Sequence, residues 1–231
     1  MKRAALGFTL FLLFVANTTS AQEVLNVRGD NNYPPFEYLN DAGEPEGFNI
    51  DIINAVAQEM GLQIRINLGP WHEVRQQLER GEVDLLMGMF NTEERDKLVD
   101  FSISHFIASY AVFVRDGSDI RSIDDARGKS LLVQEGDLGH DYVLENQISS
   151  RITPKENLAL VLTELSEGRG DGAVISRLQG LRIIESLNIK NLKAVGPPII
   201  QRKYCLAVTE GNSPLLAKLN EGLSKIGRAH V

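Results

Sequence analysis

Arg95, in Thr92-Glu93-Glu94-Arg95, presents a planar guanidinium whose parallel donors match a carboxylate and which stays charged at any relevant pH. Taken alone it reads as a surface arginine pairing with Glu93, Glu94 or Asp96, an arrangement worth little. Tyr33, Phe36, Trp71 and Phe90 offer flat faces able to sandwich an apolar or cationic group, although a lone aromatic is more often core. Trp71 follows Gly69-Pro70 in what reads as a loop, which favours a pocket rim over burial. Asp137 and His140 stand three apart at an expected helix start. Two readings stay open there: an acid/base pair, or an aspartate at the positive end of the helix dipole beside a surface or rim histidine.

Other reactive patterns fail on spacing. His72, His105 and His140 are scattered without metal-ligand spacing, no cysteine cluster supports zinc, and neither a metal nor a cofactor is expected. Gly128-Lys129-Ser130 ends like a phosphate-binding loop, but Ile123 stands where that loop requires glycine. No Gly-x-Ser-x-Gly elbow is present. Cys205 is the only cysteine, so no intrachain disulfide can form; within Tyr204 to Val208 it reads as a buried small hydrophobe. The chain carries 24 Lys and Arg against 31 Asp and Glu, a net charge of -7, with no basic run. That balance argues against nucleic acid and anionic lipid as partners.

The elements that must hold these residues begin after an N-terminal export signal. Lys2 and Arg3, an apolar run from Ala4 to Val15, and Thr19-Ser20-Ala21 follow the order of a signal peptide over 1–21; Asn17 and two threonines keep it too short to span a bilayer. Its removal takes the net charge from -7 to -9. Val24 to Arg28 reads as a strand, Phe48 to Met60 as a helix ended by Gly61, Ile64 to Leu68 as a strand, Val74 to Arg80 as a helix and Val83 to Met89 as a buried strand. A second series follows: strand 131–134, helix 158–167, strand 172–175 and helix 178–187. Alternation of this kind gives parallel α/β layers. Leu78-x-x-Gly81-x-x-Asp84 recurs as Leu165-x-x-Gly168-x-x-Asp171, each copy reading as a helix end, a glycine cap and entry into a buried strand, which suggests two similar lobes. Tyr110 to Arg115 and Tyr204 to Val208 are the expected crossings between lobes. Asn212-Ser213-Pro214 opens a final helix.

The expected division is therefore 22–113 for lobe 1, 114–200 for lobe 2, and 201–225 for an incomplete return to lobe 1. Ile226 to Val231 reads as an appended tail, so the C-terminal helix is expected to be truncated.

Asp30-x-x-Tyr33-Pro34-Pro35-Phe36, Gly47-Phe48-x-x-Asp51, Gly88-Met89, Thr92-x-Glu94-Arg95 and Val99-Asp100-Phe101-Ser102 together resemble the bacterial extracellular solute-binding proteins of family 3. The resemblance runs in the family's order from Val24 to Leu223. Gly88-Met89-Phe90-Asn91, Arg177-Leu178-Gln179-Gly180 and Val195-Gly196-Pro197-Pro198 are similar to the subset that serves as periplasmic sensor domains of histidine kinases and diguanylate cyclases. The resemblance implies an α/β, two-lobed, type II-like periplasmic binding protein with two crossover strands and a ligand between the lobes. It implies that Arg95 binds a ligand carboxylate, and it implies Asp30, Tyr33, Phe36, Trp71, Gly88, Met89, Phe90, Asp137, His140 and Ser176 as further ligand-binding residues.

Three departures bear on the ligand. Phe90 stands where amino-acid binders often carry Ser or Thr. Gln134-Glu135-Gly136-Asp137 stands where they often carry a Gly-Thr pair at a helix start, and Ser176 stands where an aspartate usually grips the ligand ammonium. Each removes a feature suited to a free α-amino acid, and an ionised Asp137 would repel a ligand carboxylate. The expected ligand is an amino-acid-like or other small polar solute, with a cationic or hydroxyl group facing lobe 2. The expected partner is a membrane signalling domain or an ABC permease, and the expected location is the periplasm. A different class, an enzyme resembling cyclohexadienyl dehydratases, would need the Asp137–His140 pair; no catalytic residue is otherwise assigned.

Overall fold

A computed structural model describes residues 24–228. The expected signal peptide lies outside the described residues. In chain order the elements are β1 (Val24–Asp30), β2 (Asn32–Tyr33), β3 (Glu37–Leu39), β4 (Pro45–Glu46), α1 (Phe48–Met60), β5 (Gln63–Gly69), α2 (Trp71–Glu79), β6 (Leu85–Phe90), a 3-10 turn (Arg95–Lys97) and β7 (Val99–Arg115). Then come β8 (Leu131–Gln134), α3 (Leu138–Glu145), β9 (Ile152–Lys155), α4 (Leu158–Ser166), β10 (Gly172–Ser176), α5 (Arg177–Ser186), β11 (Leu192–Thr209) and α6 (Ser213–Arg228).

Two βαβαβ units share one plan. In the first, β1 pairs in parallel with β5 on one side and β6 on the other; in the second, β8 does the same with β9 and β10. The repeated sequence motif has a structural cause in both. Gly81 and Gly168 each follow the helix before the last strand at positive φ, 70° and 90°, which a residue with a Cβ adopts only at a cost. The aspartate three positions on then reaches the start of the unit's first strand. Asp84 Oδ2 accepts the Asn26 N–H at 2.7 Å, and Asp171 Oδ2 accepts the Ser130 N–H at 2.8 Å.

The long antiparallel strands β7 and β11 join the units into one eight-stranded sheet, ordered β5-β1-β6-β11-β7-β10-β8-β9. Tyr204 to Val208 of β11 pairs with Leu85 to Phe90 of β6, while Tyr110 to Phe113 of β7 pairs with Ala173 to Ser176 of β10. The change of lobe therefore falls within β7 before Tyr110, ahead of the boundary expected at residue 113. A small second sheet, β2-β3-β4, covers lobe 1.

Each lobe buries its own core. Lobe 1 packs Ile50, Ile53 and Val56 of α1 and Leu215, Leu219 and Leu223 of α6 against Val27, Leu85, Met87, Leu206 and Val208; every residue of β6 is buried. The same stripe continues to Ile226, half-buried against that cluster, and α6 extends to Arg228. Lobe 2 packs Val112, Val114, Leu131, Val133, Val143 and Val174. Two expected boundaries also move. α2 begins at Trp71, not Val74, because Pro70 suits the entry to a helix. β6 begins at Leu85, because Asp84 is committed to its cap.

Candidate functional site

The ends of β1, β2, β6 and α2 in lobe 1 face the β8–α3 loop of lobe 2, and between them lies a cavity of about 10 Å³, the room of about one water molecule. Asp30, Tyr33, Trp71, Phe90 and Tyr204 line it from the first lobe and the crossing strand; Gln134 and Asp137 line it from the second. Phe90 and Tyr204 pack at 4.7 Å between ring centroids, and Phe90 meets Tyr110 edge-on at 5.4 Å. The lobes touch each other around this cavity.

Asp30 bridges them. Its Oδ1 accepts the Asn32 N–H at 2.8 Å and its Oδ2 accepts Gln134 Nε2 from lobe 2 at 2.7 Å. Burial pushes the Asp30 carboxyl up to about 7, against the pull of those two donors. Behind it, Glu37 accepts the Asp30 N–H at 2.9 Å and Asn49 Nδ2 at 2.8 Å, and burial lifts its carboxyl to about 8. Asp137 occupies the N-cap position of α3 without capping it. Both its oxygens accept the Tyr110 hydroxyl, at 2.8 and 2.7 Å, and burial raises its pKa although Tyr110 and Arg95 oppose the rise.

Arg95 is buried, 1 % exposed, and pairs with none of its sequence neighbours. Its Nη2 donates to Asp141 Oδ2 at 2.7 Å and to the Gly136 carbonyl at 3.1 Å, both in lobe 2. Arg75 joins it, donating Nη1 to Gly136 O at 2.8 Å and to Asp141 at 3.4 Å, with Nε on Glu79 at 2.7 Å. Trp71 Nε1 also donates to Gly136 O, at 2.9 Å. One carbonyl at the start of α3 thus receives three donors from lobe 1.

Of the residues expected at the site, Asp30, Tyr33, Trp71, Phe90 and Asp137 meet on the cavity. Trp71 is no loop residue: it opens α2 and is 5 % exposed. Phe36 stands behind the cavity in an aromatic cluster, 4.8 Å from Phe106 and 5.6 Å from Tyr204. Gly88 and Met89 lie in the core of lobe 1; an added Cβ at Gly88 would collide with the Tyr204 hydroxyl and the Asn49 amide. Ser176 is buried, and its hydroxyl is bonded to Gln179. His140 Nδ1 accepts the Gly136 N–H at 3.2 Å, while the Asp137 carboxylate is bonded to the Tyr110 hydroxyl. Gln134, Tyr204, Tyr110, Arg75 and Asp141 were not expected as site residues. Gln134 carried a signal, its place in the departing Gln-Glu-Gly-Asp segment.

The two lifted carboxyls set a pH dependence. Asp30 and Glu37 hold protons in the folded protein at pH values where the unfolded chain has lost them. Their contribution is fully present below about pH 4 and is lost as pH rises through 7 and 8. The ligand-free protein is expected to melt several degrees higher at pH 6 than at pH 8.5, at roughly 1.4 kcal/mol per group per pH unit. Scanning calorimetry checks this; a melting temperature that climbs with pH over that interval contradicts it.

The family of bacterial extracellular solute-binding proteins, family 3, matches residues 25–229. A probable histidine-binding protein of Neisseria gonorrhoeae is 28% identical over 210 residues, covering 88% of this chain and 78% of that one. The glutamine-binding protein GlnH of an ABC transporter of Bacillus subtilis is 30% identical over 195 residues, covering 80% and 69%. Among solved structures, a histidine kinase sensor domain with similarity to periplasmic binding proteins superposes with a TM-score of 0.87 at 31% identity, covering 90% of this chain and 92% of that one. An ancestral arginine-binding protein bound to arginine gives 0.82 at 31%, covering 89% and 92%.

Proposed function

The chain belongs to the bacterial extracellular solute-binding proteins, family 3, and on that premise we propose that it is the sensing module of a membrane-bound signalling protein, closing around a small polar solute in the periplasm. The observation that carries the binding reading is the cavity itself, walled by aromatic and carboxylate side chains from both lobes and sealed by Arg75, Arg95 and Trp71 on Gly136. A ligand touching both lobes favours the closed state by its differential affinity for closed over open. That shift is the output a membrane partner reads.

Trp71, the only tryptophan, reports the motion, because its indole N–H bonds across the cleft. Across a panel of charged and neutral solutes, a true ligand is expected to blue-shift Trp71 emission, lower the radius of gyration in solution scattering and raise the melting temperature. A panel in which no solute moves any of the three removes the reading.

The sensor role is supported by the likeness to the histidine kinase sensor domain. A second role, free receptor of an ABC permease, is supported by the relatives named as transport binding proteins. Solute-dependent phosphorylation or cyclic dinucleotide synthesis in membranes from the source cells fits the first role. Solute-dependent stimulation of a permease's ATP hydrolysis fits the second.

A further inference from the structure

The closed cleft holds more acid than base. Among the described residues no arginine, lysine or histidine lines the cavity, whereas Asp30 and Asp137 do. Glu37 stands directly behind Asp30, bonded to its N–H and to Asn49, with no cation among those bonds. Among the described residues, two guanidinium groups, Arg95 and Arg75, reach across the cleft beside it, and both are engaged by the protein's own carboxylates. Asp141 takes Arg95 Nη2 at 2.7 Å and Arg75 Nη1 at 3.4 Å, Glu79 takes Arg75 Nε at 2.7 Å, and Asp137 shares the field of Arg95.

Against two guanidinium groups stand three carboxylates, with Asp30 a fourth across the cavity. Arg95 keeps two buried donors without a partner, Nε and Nη1. A ligand carboxylate taken up there would lie close to both Asp137 and Asp141, in a cleft with little water to screen the repulsion. To hold it as a bidentate fork, Arg95 would have to withdraw an Nη2 hydrogen from Asp141 or from the Gly136 carbonyl. A positive group meets the opposite situation. The rings of Tyr33, Trp71, Phe90 and Tyr204 line the cavity, aromatic faces attract a cation as the Trp71 ring already does for Arg95 at 5.9 Å, and Asp30 and Asp137 offer it acceptors from opposite lobes.

Resting on the solute-binding reading above, we infer that the cleft takes a small organic cation without a carboxylate, an amine, guanidine or quaternary ammonium, and that Asp141 fills the place on Arg95 a ligand carboxylate would need. Asp141 is thereby the residue that selects against α-amino acids. It sits on α3 four positions past Asp137 and does not line the cavity, so its effect runs through Arg95.

The test is calorimetric titration of the purified chain with matched pairs, agmatine against arginine and histamine against histidine, with putrescine and choline as further cations. Within the pair that binds, the decarboxylated member is expected to bind at least tenfold tighter. Asp141→Asn keeps the side chain's shape and removes its charge; it is expected to shrink that ratio at least tenfold, by strengthening the amino acid. Asp141→Ala is the second variant, expected to shift the ratio the same way. An amino acid that binds the unaltered chain as tightly as its decarboxylated partner overturns the inference, and so does a ratio unmoved in both variants. Binding of neutral or acidic solutes with none of the four cations overturns it too, while leaving the solute-binding reading intact. Silence from every solute of either charge removes that reading, and the inference with it.

Discussion

Exchanging Asp30 for asparagine is expected to stabilise the ligand-free protein at pH 8 while weakening cation binding by about 10- to 100-fold. The two effects have one cause. Asp30 is 3 % exposed, and burial pushes its carboxyl up to about 7, so at pH 8 the folded protein holds an ionised carboxylate it solvates poorly. Each pH unit between the unfolded and folded pKa values represents about 1.4 kcal/mol. Asparagine removes that burden, keeps one acceptor for the Asn32 N–H and, if the Gln134 amide turns over, keeps the bridge between the lobes. Over the shift from 3.8 to about 7 that burden is about 4 kcal/mol; a hydrogen bond lost or lengthened offsets about 1 kcal/mol of the gain, leaving a net stabilisation on the order of 3 kcal/mol. Binding moves the other way, since a desolvated hydrogen bond to a charged group contributes about 1.5 to 3 kcal/mol, and each 1.4 kcal/mol is about tenfold in affinity. Melting temperatures at pH 8 and titration with agmatine read the two effects separately. A variant less stable than the parent at pH 8, or one that binds the cation equally well, contradicts the account. Functional sites commonly carry such a conflict between stability and activity.

The residues legible in the sequence were those whose role is local. The buried run of β6 and the periodicity of α1 each describe one element packed on the core, and the repeated Leu-x-x-Gly-x-x-Asp has a hydrogen-bonded reason in its two aspartates. The site was legible where one short segment carried the signal, as for Asp30 and Tyr33, which end the adjacent strands β1 and β2. It was not legible where two distant segments meet. Gln134 and Asp30 are 104 residues apart in sequence, Arg75 and Asp141 are 66 apart, and Arg95 and Asp141 are 46 apart. Nothing in their spacing announces contact, because closure of the lobes creates it. The same limit hid where β7 changes partners: its 17 residues form one extended strand, and hydrophobic alternation marks which face is buried, not which neighbour lies beside it. Trp71 was misplaced for a different reason. Gly-Pro signals a break in the chain, and here the break is the entry to α2.

Glu37→Ala is expected to cost about 3 to 6 kcal/mol of stability, on the order of 10 °C in melting temperature, and to weaken ligand binding from outside the cavity. Glu37 is fully buried on β3. Its Oε1 accepts the Asp30 N–H and its Oε2 accepts Asn49 Nδ2, while Asn49 Oδ1 meets His105 Nε2 at 3.2 Å. The carboxyl thus ties the end of β1 to α1 and, through Asn49, to the crossing strand β7. Space has been kept for it: an added Cβ at Gly29 would fall 2.9 Å from Glu37 Oε1. Alanine leaves two buried donors unpaired, at about 1 to 3 kcal/mol each, and opens a void where the side chain was. Glutamine keeps one acceptor and fills the space, so Glu37→Gln is expected to lose about half as much. Because the Asp30 N–H is one of the orphaned donors, the alanine variant also loosens the carboxylate that faces the ligand, and affinity falls with stability. Calorimetric melting and agmatine titration of both variants test this. Melting temperatures within about 2 °C of the parent for alanine and glutamine alike would show that water replaces the carboxyl, and that the anchor beneath Asp30 is dispensable.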